Sequence, residues 1–186
     1  MFLKILLIVL VVGSVTGWVV IIHNRFAALS NLIAESWRQV DVELQRRHDL
    51  IPNLVQVVSG YAAHERALFE GLIAARTQAL AVHTPAQLTG PETALEYGVG
   101  QALAVAEAYP ELNSSTHFLR LQHELRNCED RIAAGRRFYN GNVRALNTLK
   151  DSFPAGLLGG GTKRGEYFML DSPAARLPLQ LQFPQR

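Results

Sequence analysis

Residues 45–54, QRRHDLIPNL, hold the densest set of side chains able to do chemistry: two arginines, a histidine and an aspartate running straight into a proline. Such a group can present a charged site, kink a helix, or mark the junction between two helices. The other candidates for chemistry are sparse. Six histidines are present, but none forms the Glu-x-x-His pairs by which helical bundles hold metals. HERAL, residues 64–68, begins like a zinc-protease helix and then places Leu68 where the second histidine belongs. No metal or other cofactor is therefore expected. GLLGGGTK, residues 156–163, lacks the order of a phosphate loop and reads as a linker. Neither a G-x-S-x-G elbow nor a dinucleotide fingerprint occurs, so no catalytic residue is assigned. Cys128, the only cysteine, stands in the polar stretch RNCEDR and reads as a small filler.

A second constellation lies further on. Gln122, Glu129, Arg136 and Asn140 recur at spacings that keep them near one face of a helix, in phase with its apolar stripe. A buried charge must be paired. The expected internal polar network is therefore Gln122, Glu129, Arg136 and Asn140, with Glu65 and Arg76 as partners from a facing helix. It reads first as a device fixing helix register and second as a polar site inside a bundle.

These residues need elements to position them. Ile5 to Ile22 runs without a charge. Its eighteen residues span roughly 27 Å, close to a bilayer core of about 30 Å. Lys4 and Arg25 bracket it and Trp18 lies toward its far end, which favours an uncleaved anchor over a signal peptide. Leu29, Ile33, Trp37, Val40 and Leu44 form one helical stripe, and Leu50, Leu54, Val57 or Val58, Tyr61, Leu68, Leu72 and Ala75 resume it. HTPAQLTGP, residues 83–91, predicts a loop. A third helix is expected over 92–109, weakened by Gly98 and Gly100, and a fourth from about Thr116 to Lys150.

Capping logic then places the opening stretch. Arg46 and Arg47 suit the negative end of one helix, and Asp49 suits the N-cap of the next with Pro52 in its first turn. A tight turn between antiparallel helices is favoured over one helix kinked at Pro52. The expected fold is all-α: an N-terminal transmembrane helix over 1–25, an antiparallel up-and-down four-helix bundle over 26–154, and a flexible Gly/Pro-rich tail over 155–186, with Tyr167 and Phe168 as residues that could dock back on the bundle.

Several blocks make a resemblance specific. ESWRQVDVELQRRHDLIPNLVQVVSGYAAHE follows the span, AEAYPELNSSTHFLRLQHELRNCEDRIAAGRRFYNGNVRALNTLKDSFP follows later, and EYF closes the match. Over roughly residues 25–170 the chain resembles the LemA family of bacterial membrane-anchored proteins. That resemblance implies an up-and-down helical bundle behind one membrane helix and supplies no biochemical activity. Related chains occur in magnetosome membranes, which implies a part in membrane organisation. EYGVGQAL, Cys128 and the glycine-rich stretch from Leu158 to Gly165 depart from the family's usual pattern.

Function is bounded accordingly. Arginine outnumbers lysine 15 to 3, yet the net charge is only +2. The arginines of the last helix are interleaved with acids, so no nucleic-acid partner is expected. The leading expectation is a non-enzymatic interaction or scaffold module, bound to lipid through residues 5–22. It would hold an unidentified protein partner or associate with itself. The alternative is an accessory factor of a membrane protease or envelope enzyme, or a weak hydrolase. The charge of the presumed turn exceeds what a turn needs, so Arg46, Arg47, His48, Asp49 and Asn53 are the expected contact surface. Lys4 before the span against Arg25 and Arg38 after it leans toward a cytoplasmic body.

Overall fold

The computed structural model describes residues 1–170. Its elements are α1 (Phe2–Ser59), α2 (Arg66–Leu80), α3 (Pro85–Glu107), the single turn α4 (Pro110–Asn113) and α5 (Thr116–Asp151), followed by a 3-10 turn over Ala155–Leu158. The protein is all-α, with no strand among the described residues. Among the described residues, α1 is the one helix long and apolar enough to cross a membrane. Its apolar N-terminal run, from Phe2 through Val12 and on to Ile21, is almost wholly exposed.

The expected turn at Arg46–Asp49 does not exist. α1 passes through it and through Pro52 without a break. Proline in a helix interior leaves the carbonyl four residues back without its N–H partner. Here that carbonyl belongs to His48, and the Arg76 side chain of α2 donates its Nε–H to it at 2.7 Å. A side chain thus replaces the missing rung, and the Pro52 ring faces solvent. The stripe 40-44-47-51-54-58 stays in register and fully buried across the proline.

The reversal comes later, at Gly60. Tyr61 and Ala62 donate their N–H groups to the Val58 carbonyl at 3.0 and 2.9 Å, closing the helix end. The long helix expected from Leu50 onward is therefore divided between α1 and α2. Residues 83–91, expected as a loop, mostly belong to α3. Thr84 caps it, its hydroxyl accepting the Gln87 N–H at 3.4 Å and donating to the Gln87 side chain at 2.9 Å, and Pro85 occupies the first turn. Threonine at the cap with glutamine three residues on is a helix-start signature that outweighs two prolines.

The chain divides into two compact units. One comprises, among the described residues, 43–132 and 168–170. It holds the C-terminal part of α1, all of α2 and α3, and the first half of α5. α1 and α5 run antiparallel there: Glu43 pairs with Arg131, and Arg46 pairs with Glu124. α2 and α3 meet so closely at Gly98 that a Cβ there would lie 2.9 Å from the Leu72 methyl. Gly100, two residues on, faces open space.

The other unit comprises residues 1–42 and 133–167. In it Ile22 and Phe26 of α1 form a core with Leu146, Leu149 and Ala155, against which Trp18, Leu29 and Ile33 pack. The segment after α5, expected to be loose, is tied down. Asn147 makes two hydrogen bonds to the Gly165 backbone, at 3.0 and 3.1 Å, and Tyr139 donates its hydroxyl to the Glu166 carbonyl at 2.7 Å. Lys150 donates to the Thr162 carbonyl, and Arg164 pairs with Asp151. Phe168 is fully buried and Tyr167 exposed. The remainder of the expected tail, 171–186, lies outside the described residues.

Two expectations follow. Arg76→Ala should lower stability by about 1–3 kcal/mol, because it leaves a buried carbonyl without a partner. In a Pro52→Ala background, which restores the N–H at residue 52, the same change should cost distinctly less. Equilibrium unfolding of the four proteins of this cycle measures the coupling. Gly100→Ala should stabilise α3 by about 1 kcal/mol, whereas Gly98→Ala should gain less or lose, since Leu72 must move.

Candidate functional site

In the unit of residues 43–132, helices α1, α2, α3 and α5 meet around charges that have left water. Arg47 of α1 is 0% exposed, His48 beside it 2%, and Glu92 of α3 0%. Arg47 occupies a position of the buried α1 stripe that would ordinarily take a leucine. Its two terminal nitrogens diverge. Nη2 donates to Glu92 Oε2, and Nη1 donates to Oε1 of Glu129, on α5, at 2.6 Å. The second Glu92 oxygen lies 2.7 Å from His48 Nε2. An ionised carboxylate only accepts, so Nε2 carries the proton in that contact. With Arg76 on the His48 carbonyl, side chains from α2, α3 and α5 converge on two consecutive residues of α1.

Electrostatics follow from this packing. Burial alone works against ionisation of Glu92. The His48 hydrogen bond and the Arg47 charge outweigh it and hold the carboxyl below its ordinary value of 4.5. Burial likewise works against the Arg47 charge, but Glu129 and Glu92 raise its pKa further. Arg47 Nε and His48 Nδ1 are buried and have no hydrogen-bond partner among the described residues. Both oxygens of Glu92 are engaged and shielded from solvent, so the carboxylate is a strut rather than a base.

The residues singled out from sequence distribute as follows. Of the expected surface, Arg47 and His48 are interior. Only Arg46, Asp49 and Asn53 reach solvent, because a continuous α1 advances about 100° per residue and so carries 47 and 48 inward while 46, 49 and 53 stay outward. Arg46 pairs with Glu124 at 2.5 Å, and Asn53 lines an apolar groove of about 650 Å³ with Leu50, Val57, Tyr61, His117 and Leu121. Of the expected network, Glu129 pairs with Arg47 rather than with Arg76, and Arg76 serves His48. Glu65 is exposed at the start of α2; Gln122, Arg136 and Asn140 are half-buried on α5. Glu92 was missed. It sits where a helix start was expected, and a lone carboxylate there passes for a dipole partner. The signal that could have found it is Arg47: an arginine inside an apolar stripe demands a carboxylate on a facing helix.

Cys128 is fully buried, and burial pushes its thiol up. Five of the six histidines, at 23, 64, 83, 117 and 123, are exposed. Among the described residues no three His, Cys, Asp or Glu side chains gather as a metal site would need.

Glu92→Gln should destabilise the protein by roughly 3–5 kcal/mol, since it removes one partner of a buried pair. Because the folded pKa of Glu92 is depressed, its ionisation stabilises the fold above the ordinary value of 4.5, and that contribution disappears as pH falls through the lower folded value. Denaturant unfolding between neutral and acid pH should show this loss in the natural protein and its absence in Glu92→Gln. Arg47→Met with Glu92→Leu should be more stable than either single change.

Comparison with known proteins agrees with this architecture. Residues 36–183 match the model of the LemA family. Magnetosome protein MamQ 2 of Paramagnetospirillum magneticum is 26% identical, the match covering 84% of this chain and 68% of the relative. MamQ 1 of the same organism gives the same values. Magnetosome protein MamQ of Magnetospirillum gryphiswaldense is 23% identical over the same shares. With the family match extending over most of its length, the chain belongs to the LemA family.

Proposed function

We propose that the protein is a single-pass, membrane-anchored helical module that holds a partner protein at the membrane and catalyses no reaction itself. One observation carries this reading. The end of the apolar run is already part of the folded body, for Trp18 and Ile22 pack with Leu146 and Leu149. The body is thus built directly onto a helix whose preceding residues leave Leu6 to Val12 more than half exposed. A contiguous apolar surface of that size needs lipid or protein around it. The charges best suited to chemistry are used up in joining helices, which supports a scaffold over an enzyme. The kinship with magnetosome proteins supports a membrane setting. The count of Lys and Arg flanking the span supports a cytoplasmic body. The partner surface we favour combines the exposed members of the original stretch, Arg46, Asp49 and Asn53, with the adjoining groove at Tyr61 and Leu121.

Alkaline carbonate extraction should leave the full chain in the membrane pellet, and external protease should spare the body in intact cells. Release into the supernatant would end the anchored reading. A photo-crosslinking residue at Asn53 should capture one discrete partner, which the same residue at exposed Arg126 does not. Equal capture at both positions would remove the proposed surface.

A further inference from the structure

The C-terminal end of α5 carries features that the charge cluster and the apolar groove leave unused. Arg25 of α1 and Arg144, Thr148 and Ser152 at the end of α5 line a groove of about 390 Å³, together with the small Gly141 and Ala145. Both guanidiniums are exposed, and neither has a hydrogen bond or ion pair among the described residues. Two unneutralised like charges beside one concavity disfavour each other and favour an anion between them.

The level of the groove follows from packing. Arg25 stands three residues past Ile22, roughly 4.5 Å further along the helix. Leu146 and Leu149, on the same stretch of α5 as Arg144 and Thr148, pack on Ile22 and Phe26. If residues 5–22 cross the bilayer, the groove opens where the lipid phosphates lie. Beside it the chain turns back through Phe153 and Leu157, which are 88% and 76% exposed, while Ala155 between them is buried in the same core. Large apolar side chains left bare next to a membrane span are suited to acyl chains.

We propose that this end of the molecule is a seat for an anionic phospholipid, in which Arg25 and Arg144 grip the headgroup phosphate and Phe153 and Leu157 enter among the acyl chains. Guanidinium forks match phosphate oxygens, and Thr148 supplies a hydroxyl donor at the rim. A free phosphate would use the arginines equally well. It gives no reason for the two bare apolar side chains, which favour a lipid as the source. The inference rests on the anchored reading above.

The full chain is reconstituted in phosphatidylcholine vesicles holding a minor share of phosphatidylglycerol, extracted gently, and its retained lipid quantified by mass spectrometry. Phosphatidylglycerol should be enriched over its bulk share. Arg25→Gln with Arg144→Gln should cut the enrichment about tenfold, while the equal charge change Arg66→Gln with Arg126→Gln leaves it intact. Phe153→Ser with Leu157→Ser should lower retention of both lipids. Enrichment unchanged in the Arg25/Arg144 double variant, in a chain that still inserts, overturns this inference alone. Displacement of the lipid by excess inorganic phosphate, with the serine variant behaving as the natural protein, assigns the groove to a free anion and overturns it too. Failure of the chain to insert into neutral vesicles overturns the anchored reading with it.

Discussion

A guanidinium carried into an apolar interior makes a demand that aliphatic neighbours cannot meet. Arg47 is fully buried, always charged, and set in the stripe that α1 turns toward its partners. Its desolvation is offset only if carboxylates arrive in fixed geometry, and they come from two other helices, Glu92 of α3 and Glu129 of α5. Apolar packing tolerates sliding by a turn with modest loss. This pairing does not, because a shifted helix strands an ion. Arg47 thus ties α1 to α3 and to α5 in that unit, while the surrounding leucines supply the bulk of the burial energy.

The proline four residues beyond His48 belongs to the same assembly. A helix broken at Pro52 would leave the lower part of α1 free to swing, and the Arg47 carboxylates would lose their target. The guanidinium of Arg76 prevents this by taking the place of an amide hydrogen. Arg76 and Glu92 reach two consecutive α1 residues, one through the His48 carbonyl and one through side chains. The block that looked like a surface from its composition is therefore the most constrained part of the protein.

This explains what could and could not be read from sequence. The helical class, the apolar span and the last helix were legible because their periodicity runs long and uninterrupted. The turn was misplaced because Arg-Arg-His-Asp-Leu-Ile-Pro satisfies capping rules that are local, while the facts deciding against it are remote: Arg76 lies 24 residues beyond Pro52 and Glu92 another 16. The apolar stripe that continues in phase across Pro52 holds the opposite signal, and local capping rules outweigh it. α3 was started late for a related reason, two prolines counting as loop although Thr84 and Gln87 form a start signal. The segment through Gly165 reads as loose from its consecutive glycines and the prolines that follow them. Its order comes from Tyr139, Asn147 and Lys150, which the last turns of α5 hold 12 to 27 residues before the groups they bind.

The shared role of Trp18 and Ile22 bears on how the protein is handled. The customary soluble fragment is made by cutting just after the greasy leader. Here that cut would tear two members out of the cluster around Leu146 and Leu149 and bare its remaining aliphatic side chains to water. A fragment so prepared would be sticky at the very end that ought to face lipid. Clumping in the test tube would then report the scissors rather than any natural self-assembly.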